Sequence, residues 1–320
     1  MNVRIALAGA GAFGEKHLDA LGQIDGVSIA SIVSGNKAEA AAAAQHYGVG
    51  HSSDRLDEIL EREDVDAVIL CTPTPLHAEQ ALACLKAGKH VQVEIPLADS
   101  IEGAERVLRA QQDRDLVCMV GHTRRFNPSH QWVHRRVEAG EFQLRQLNVQ
   151  TYFYRRTNIN AKGEARSWTD HLLWHHAAHS IDLFAYQSGP VTEAHILQGP
   201  RDATLGIAMD MAIHLKSVTG ALCTISLSFN NDGPLGTVFR YIGDTGTYVA
   251  NYDSLVDGHG RAIDLSASGA STNGIELQDR EFVAAIREKR EPEASAARVF
   301  GCYQVIDDLA KQLEQQDGWS

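Results

Sequence analysis

Short apolar runs alternate with amphipathic stretches through the first third of the chain. Apolar runs bounded by turn residues are typical of buried strands, and apolar positions three and four residues apart are typical of helices. The runs predict strands at Val3–Ala8, Val27–Val33, Ala67–Cys71, Lys89–Val93 and Leu116–Val120. The amphipathic stretches predict helices after the first strand and at Ala38–Tyr47, Leu56–Arg62, His77–Ala87 and Ile101–Asp113. This alternation predicts an α/β domain with a doubly wound parallel sheet over residues 1–121.

Longer runs of alternating apolar and polar residues begin near Arg145. Such alternation is typical of strands with one buried face. It predicts strands around Leu147–Phe153 and at Ala208–Leu215, Ala221–Phe229, Val238–Ile242 and Thr247–Tyr252. Helices are predicted at Trp168–Gln187, Asp279–Glu288 and Ala294–Gln315. Residues 122–320 are therefore predicted to form an α+β domain on a mostly antiparallel sheet, one broad face of which pairs subunits in a homodimer.

The composition is that of a folded, water-soluble protein. Of 320 residues, 44% are hydrophobic and 22% are charged, which suits two globular domains. The net charge of −12 argues against a nucleic-acid partner, because phosphate neutralisation needs concentrated Lys and Arg. No leader pattern and no apolar run of ~20 residues points to a membrane. The five scattered cysteines form no C-x-x-C pair, so we expect a cytoplasmic protein without a disulfide framework or zinc ribbon.

A glycine-rich turn separates the first predicted strand from the helix that follows. In G-x-G-x-x-G the first glycine makes the tight turn, the second lets a pyrophosphate approach the backbone, and the third allows close helix packing. The helix N-terminus then faces the anion. A dinucleotide site is therefore predicted here, with a bare tight turn as the alternative. Its residues are Gly9, Gly11, Ala12, Phe13 and Gly14.

Ser34 follows the second predicted strand, at the position that distinguishes NAD from NADP in dinucleotide-binding domains. A carboxylate at this position binds the ribose 2′-hydroxyl and repels a 2′-phosphate. The chain instead offers donors and one cation, from Ser34, Asn36 and Lys37. These residues predict a preference for NADP. In the alternative, Lys37 is only a solvated loop residue, and NAD serves as well as NADP.

Several short motifs occur in an order that resembles the Gfo/Idh/MocA oxidoreductase family. They are Gly9–Gly14, Thr72-Pro73 with His77, Lys89-His90-Val91 leading to Glu94-Ile95-Pro96, Gly121–Pro128, His179–Asp182, and Arg280-Glu281-Phe282 with Ala285-Ile286. The resemblance implies an N-terminal Rossmann domain that binds a nicotinamide cofactor, a C-terminal domain that binds substrate, and dehydrogenation of a CH–OH group. It also implies that the cofactor contacts Thr72, Pro73, His77, Glu94 and Ile95.

Two positions depart from the common pattern of that family. Glu94-Ile95-Pro96 stands where the family has E-K-P, and His175-x-x-x-His179 stands where it has D-x-x-x-H. The lysine usually taken to assist proton transfer is therefore missing. Both changes match a narrower group within the family. The resemblance to that group implies oxidation of a dicarboxylated cyclic hemiacetal to a lactone, in the degradation of lignin-derived aromatic compounds.

The proton acceptor is predicted within the histidine-rich stretch Trp168–His179. On an α-helix, His171, His175 and His179 share one face, and His176 points about 100° away. Histidine titrates near neutrality and suits a general base. The family position favours His179 as the base, with His175 second. The alternative for each histidine is a buried, hydrogen-bonded packing residue.

Histidines four residues apart on a helix can also bind zinc. The stretch lacks the Glu of H-E-x-x-H, and a hydride-transfer step supplies its own electrophile. The resemblance likewise implies no metal, so no metal site is expected.

Cationic side chains are predicted to bind the substrate carboxylates, because guanidinium groups pair with carboxylates in bidentate geometry. Arg124 and Arg125 follow the fifth predicted strand, at the edge where ligands bind in such sheets. The predicted ligands are Arg124, Arg125, Lys162, Arg166, His176 and Asn230, with Arg155, Arg156, Asn158 and Asn231 as further candidates. In the alternative, many of these charges are solvated or paired in loops, and Arg125 anchors the junction of the domains.

Two other functions stay open on the sequence. A sugar or inositol dehydrogenase of the same family is disfavoured by Ile95, which replaces the usual lysine. A nicotinamide-binding sensor without turnover is disfavoured by the histidines and the arginine pair, since a sensor has no use for a base.

Overall fold

The structure, a computed structural model, describes residues 2–112, 115–159, 163, 165–166, 168–252, 254–266 and 271–317. By its internal contacts the chain divides into two compact units. The first contains Met1–His122 and Ile275–Phe300, and the second contains Thr123–Gly274 and Gly301–Ser320. The boundary placed after residue 121 from the sequence did not anticipate that Ile275–Phe300 packs with the first unit.

A six-stranded parallel sheet forms the centre of the first unit. Its strands are β1 (Val3–Ala8), β2 (Val27–Val33), β3 (Ser52–Ser53), β4 (Ala67–Leu70), β5 (His90–Val93) and β6 (Cys118–Val120). Between them lie the helices α1 (Ala12–Leu21), α2 (Lys37–Tyr47), α3 (Leu56–Leu60), α4 (His77–Lys86) and α5 (Ile101–Gln112). The strand order is β3-β2-β1-β4-β5-β6, so the winding reverses between β1 and β4, where ligands bind in such sheets. The predicted doubly wound parallel sheet is confirmed.

The central strands β1 and β4 are buried on both faces, as continuous apolar runs predict. Ile5, Leu7 and Val68 have no exposed surface. The bounds predicted for β1 and β2 agree with the structure. The sequence analysis missed β3, because two serines carry no apolar signal.

A second sheet contains the strands β7 (Leu144–Tyr152), β8 (Val191–Gln198), β9 (Asp210–Ser217), β10 (Leu222–Ser228), β11 (Gly236–Gly243), β12 (Thr247–Asn251) and β13 (Ser254–Asp257). Their order is β13-β12-β11-β7-β10-β9-β8, and among the described strands of this second sheet only β7 and β10 pair in parallel. The predicted mostly antiparallel sheet is confirmed. The later helices are α6 (Pro128–Glu138), a π-helix (Leu172–Ala177), α7 (Ala178–Ser188), α8 (Gly274–Glu288) and α9 (Ala296–Asp317).

The sequence analysis missed β8, β13 and α6 in the second unit. In the edge strand β8 only Ile196 is buried. The strand therefore needs no regular alternation of apolar and polar residues, and its sequence shows none. Helix α6 is largely polar, although Pro128 stands at its first position, where proline is favoured.

The second sheet buries one face and exposes the other. Val149, Ile213 and Phe239 are buried, whereas Gln150 and His214, which point the opposite way, are exposed. The π-helix packs against β9 and β10, and α7 packs against β7. Within the described part of the chain, no helix has the length and apolar character needed to cross a membrane.

Candidate active site

Two glycines allow α1 to pack closely behind the end of β1. Gly9 has a φ of 105°, and a Cβ atom on it would lie 2.3 Å from the Cys71 carbonyl oxygen. A Cβ atom on Gly14 would lie 2.0 Å from the Gly9 carbonyl oxygen. A larger residue at Gly14 would push α1 away from the end of β1, and one at Gly9 would clash with the backbone that follows β4.

Gly11 borders open space at the start of the same helix. A Cβ atom on Gly11 would meet no atom within 4 Å, and this N-cap residue makes no side-chain cap. The first backbone N–H groups of α1, beginning with Ala12 and Phe13, have no acceptors within the helix. A pyrophosphate needs such an open, amide-lined helix N-terminus, so the residues present fit a dinucleotide cofactor.

Two of the three residues predicted to recognise a 2′-phosphate already have partners within the first unit. Ser34 Oγ donates a hydrogen bond to Glu39 Oε2 at 2.9 Å. Asn36 Oδ1 caps α2 by accepting hydrogen bonds from the N–H groups of Ala38 and Glu39, at 2.9 and 3.4 Å. Lys37 is exposed, and the described residues give it no ion pair. The sequence analysis missed Glu39, because it lies on α2 rather than at the end of β2.

His77 holds together the segments that follow β4 and β5. Its two ring nitrogens lie 2.7 Å from the carbonyl oxygens of Thr72 and Pro96. The ring is buried, whereas Thr72, Pro73 and Ile95 are half-buried. Both polar atoms of His77 therefore serve the protein backbone, so His77 supports the predicted cofactor positions without offering its ring to a ligand.

Glu94 belongs to a buried hydrogen-bonded group that the sequence analysis did not find. Its Oε1 lies 3.1 Å from His17 Nε2, and His17 Nδ1 lies 2.9 Å from the Asp279 carboxylate. Gln278 Nε2 also donates to Glu94 Oε1, at 3.3 Å. Burial lowers the pKa of His17, but Asp279 and Cys71 outweigh it and raise that pKa well above its usual value. The His17 imidazolium therefore fixes the Glu94 carboxylate at the end of β5.

The histidine-rich stretch does not form the single α-helix that its spacing predicted. His171 is extended and precedes the π-helix Leu172–Ala177, after which α7 begins. The prediction of one α-helix over Trp168–Gln187 is therefore wrong in its first part, because π-helical bonds join residues five apart. The rings of His171 and His175 still lie together, with their centroids 5.5 Å apart.

His175 is fixed by its neighbours. Its Nδ1 accepts a hydrogen bond from the His171 backbone N–H at 3.1 Å, and its ring stacks on Trp168 with the centroids 5.2 Å apart. Burial and the nearby His171 lower the pKa of His175 to about 3, and burial lowers the pKa of His171 to about 4. Both rings are neutral at neutral pH, and His175 is a weak base. His179 lies further along, in α7, and is half-buried.

Asp170 gathers three basic side chains around one carboxylate. Arg155 donates to both carboxylate oxygens, Arg166 Nη1 donates to Oδ1 at 2.9 Å, and His176 Nε2 lies 3.3 Å from Oδ2. Burial raises the pKa of Asp170, but the hydrogen bonds with His176 and Arg155 outweigh it and hold that pKa well below its usual range. Two guanidinium groups exceed the charge of one carboxylate, so this group is net positive within an acidic protein.

Aromatic rings pack beside these cations. The Arg155 guanidinium lies 4.6 Å from the centroid of the Phe229 ring, which is 5.1 Å from the His176 ring. The Arg166 guanidinium lies 5.7 Å from the Trp168 ring centroid. Basic side chains fixed in this way lose less conformational freedom when they bind an anion.

Arg125 braces the second unit instead of standing open to a substrate. Its Nε and Nη2 donate to the Asp182 carboxylate at 2.8 and 2.6 Å, and its guanidinium lies 4.6 Å from the Tyr186 ring centroid. Both charged groups are buried. These contacts favour a structural role for Arg125. If its guanidinium turned to a substrate, it would leave the buried Asp182 carboxylate charged and unpaired, which costs free energy.

Arg124 is more accessible than its neighbour in sequence. It is half-buried, its Nη1 donates to Asn127 Oδ1 at 3.2 Å, and its guanidinium lies 5.1 Å from the Tyr252 ring centroid. Because Arg124 is more accessible than Arg125, a ligand carboxylate reaches Arg124 more easily than Arg125.

Asn230 and Asn158, two further predicted ligands, already have hydrogen-bond partners in the second unit. Asn230 Nδ2 donates to Asp210 at 2.6 Å, and Asn230 Oδ1 accepts from Arg156 at 3.2 Å. Asn230 and Asp210 line a groove of about 620 Å³ along the outward face of the second sheet. Asn158 Nδ2 donates hydrogen bonds to the Trp168 carbonyl oxygen and to Thr169 Oγ1, and Lys162 lies outside the described residues.

Among the side chains that the structure describes, no set of three or more His, Cys, Asp or Glu is arranged to hold a metal ion.

A doubly wound parallel sheet with an open, glycine-lined helix N-terminus defines a dinucleotide-binding protein. Residues 3–122 match the Gfo/Idh/MocA model, an oxidoreductase family with an NAD-binding Rossmann fold. Residues 128–269 match the C-terminal domain of bacterial oxidoreductases. The chain therefore belongs to the Gfo/Idh/MocA oxidoreductase family, and it is a nicotinamide-dependent dehydrogenase.

Individual relatives agree with this assignment. The 4-carboxy-2-hydroxymuconate-6-semialdehyde dehydrogenase of Sphingobium sp. strain SYK-6 is 65% identical over 314 residues, which are 98% of this chain and 100% of that protein. The inositol 2-dehydrogenase of Corynebacterium glutamicum is 26% identical over 235 residues, 72% of this chain and 68% of that enzyme. The structure of levoglucosan dehydrogenase in complex with NADH shares the fold, with a TM-score of 0.87 at 21% identity over 98% of each chain.

Proposed function

We propose that this dehydrogenase oxidises the cyclic hemiacetal of 4-carboxy-2-hydroxymuconate-6-semialdehyde to 2-pyrone-4,6-dicarboxylate, with NADP as the hydride acceptor. The reaction belongs to the degradation of protocatechuate, an aromatic acid derived from lignin. The observation that carries the proposal is the 65% identity, over its whole length, to a relative named for this substrate. The net positive group around Asp170 supports it, since the substrate carries two carboxylates.

The reaction asks the protein for one proton acceptor. The hemiacetal hydroxyl loses its proton while its carbon loses a hydride, for which the nicotinamide cofactor would supply the acceptor. We assign His179 as the base, because His175 already accepts a hydrogen bond at Nδ1 and its pKa of about 3 makes it a poor acceptor. His175 then fixes the packing of the preceding turn. The proton passes from the hydroxyl to the His179 ring.

The substrate carboxylates require fixed donors. We assign Arg166 and His176 to one carboxylate, because both lie beside Asp170 in a group with surplus positive charge. Arg124 serves the other carboxylate, with Lys162 as a further proposed donor. Arg125 and Asn230 are not retained as substrate ligands, since Asp182 and Asp210 already bind them.

The proposed cofactor site uses the open N-terminus of α1 for the pyrophosphate, at Gly11, Ala12 and Phe13. The segments after β4 and β5, which His77 holds together, contribute the remaining proposed contacts at Thr72, Pro73, Glu94 and Ile95. Lys37 is the exposed cation next to Ser34, and we assign it to the 2′-phosphate of NADP. NAD is accepted as a second cofactor.

The experiment compares substrates and cofactors in one assay. Purified protein is mixed with freshly prepared ring-cleavage product of protocatechuate and either NADP or NAD, and nicotinamide reduction is followed beside myo-inositol and glucose. We expect reduction with the ring-cleavage product, faster with NADP, and none with the polyols. Turnover of a polyol alone would instead make the chain a sugar or inositol dehydrogenase, and no turnover with specific nucleotide binding would make it a sensor.

A further inference from the structure

Glu39 accepts a hydrogen bond from the Ser34 hydroxyl, the group proposed to bind the 2′-phosphate of NADP. Ser34 Oγ donates to Glu39 Oε2 at 2.9 Å, and Ser34 is only 8% exposed. Glu39 lies in the first turn of α2 and is half-buried, so its carboxylate is held at the end of β2 by the helix itself. The hydrogen bond therefore joins the residue that directly follows β2 to the first turn of α2.

The position of this pair gives it a role in nucleotide choice. β2 lies next to β1 in the parallel sheet, so Ser34 and Gly9 follow neighbouring strands at the same edge. In a dinucleotide-binding sheet the residue at the end of β2 meets the adenine ribose. A 2′-phosphate at that ribose would compete with Glu39 for the Ser34 hydroxyl, and it would lie near a carboxylate of like charge.

We propose that Glu39 is a specificity-determining residue that competes with the 2′-phosphate for Ser34 and so weakens the preference for NADP over NAD. This inference rests on the proposed use of NADP by the first unit. NAD leaves the Ser34–Glu39 hydrogen bond intact, whereas NADP must break it. Lys37 attracts the phosphate and Glu39 opposes it, and their balance lets both nucleotides serve.

The test measures binding instead of turnover. Adenosine 2′,5′-bisphosphate and AMP differ only in the 2′-phosphate, and their affinities for the full chain are measured by calorimetry. In Glu39→Gln we expect the bisphosphate to bind about tenfold more tightly, a change of about 1.4 kcal/mol. AMP affinity should stay within about twofold, because AMP does not disturb Ser34.

A matched control lies one strand further out in the sheet. Ser53 Oγ donates to Glu58 Oε2 at 2.7 Å, with the same five-residue spacing as the Ser34–Glu39 pair. Glu58→Gln removes the same charge and should leave both affinities unchanged. An equal gain in bisphosphate affinity in Glu58→Gln would mean that net charge alone is responsible, and it would overturn the proposal.

A double variant distinguishes two effects of Glu39: competition with the 2′-phosphate for the Ser34 hydroxyl, and charge repulsion of the 2′-phosphate. In a Ser34→Ala background the hydroxyl is absent, so Glu39→Gln should improve bisphosphate binding by less than about threefold. A full tenfold gain in that background, or no gain from Glu39→Gln in the parent chain, would overturn the competition. If the parent chain binds neither nucleotide, the proposed cofactor use fails as well, and this outcome is distinct from the others.

Discussion

At the scale of single residues, Asp170 controls the charge of the candidate site. Arg155, Arg166 and His176 all contact its carboxylate, and Asp170 has 12% of its side chain exposed. A buried ion pair that loses one partner leaves the other partner charged and unpaired, which costs more than the pair contributes. The protein therefore depends on Asp170 both for stability and for the placement of two proposed substrate ligands.

We expect Asp170→Asn to lower the free energy of unfolding at pH 7 by about 3 kcal/mol, as for other buried pairs that lose a charge. Because the pKa of Asp170 is held below its unfolded value of about 3.9, the ion pair stabilises the fold above that pH. The difference between parent and variant should stay constant from about pH 5 to 8 and shrink below about pH 4. Urea unfolding at several pH values measures it.

The matched control for this prediction is Asp64→Asn. Asp64 also binds an arginine through both oxygens, but 53% of the Asp64 side chain is exposed, against 12% for Asp170. We expect no measurable loss of stability from it. Equal losses in the two variants, or a difference between parent and Asp170→Asn that grows in acid, would contradict the role assigned to Asp170.

Substitution of His179 and His175 tests which of these histidines is the proton acceptor. His179→Gln should lower kcat by about 10²- to 10⁴-fold, whereas His175→Gln should lower it by less than about tenfold. Since the pKa of His175 is about 3 and that of His171 about 4, neither ring changes charge between about pH 5 and 8. Any acid limb of kcat/KM in that range should therefore survive in His175→Gln.

Nucleotide binding serves as the control for both histidine variants, because neither ring belongs to the first unit. Both variants should bind NADP as the parent does. The opposite pattern, in which His175→Gln removes the acid limb and causes the larger loss of kcat, would move the base to His175.

At the scale of elements, the start of α2 shows how one residue can be mistaken for a ligand. The sequence suggested Asn36 as a phosphate donor, but its side chain caps the helix by accepting from two backbone N–H groups. Capping side chains of this kind contribute about 1 kcal/mol. The helix therefore uses Asn36 for its own stability.

We expect Asn36→Ala to lower the free energy of unfolding by about 1 kcal/mol, because the N–H groups of Ala38 and Glu39 lose their acceptor. Asn36→Asp keeps an acceptor at the cap and should retain parental stability. Denaturant unfolding compares the three proteins. A stable Asn36→Ala protein with weaker NADP binding would show that Asn36 is a phosphate ligand and not chiefly a cap.

Elements with strong apolar patterns could be predicted from the sequence. Features that depend on contacts between residues brought together by folding could not. β1 and β2 have the predicted bounds, because each is a mainly apolar run bounded by turn residues. The π-helix was missed because four-residue spacing of histidines describes an α-helix equally well. Asp170 and Glu39 were missed for a related reason, since their roles depend on which side chains fold against them.

At the scale of the whole molecule, the exposed face of the second sheet is where we propose that two copies of this chain pair. Leu197, on β8, is 67% exposed and lines the outward groove. Exposed apolar side chains beside a groove are typical of surfaces that bind another protein. A homodimer through this face would cover them.

We expect Leu197→Asp to shift the protein from dimer to monomer, because a buried carboxylate at the interface would have no partner. Light scattering coupled to size-exclusion chromatography measures the change. Val218 is a control, since it is 63% exposed but lies in the turn between β9 and β10. Val218→Asp should leave the dimer intact, and a monomeric parent protein would exclude the proposed pairing.

The most direct test of the central claim is the stoichiometry of the reaction. The hemiacetal of 4-carboxy-2-hydroxymuconate-6-semialdehyde is incubated with the protein and NADP, and NADPH and the organic product are quantified together. The account predicts one 2-pyrone-4,6-dicarboxylate for each NADPH formed. Formation of NADPH from myo-inositol or glucose, with no pyrone formed from the hemiacetal, would contradict it.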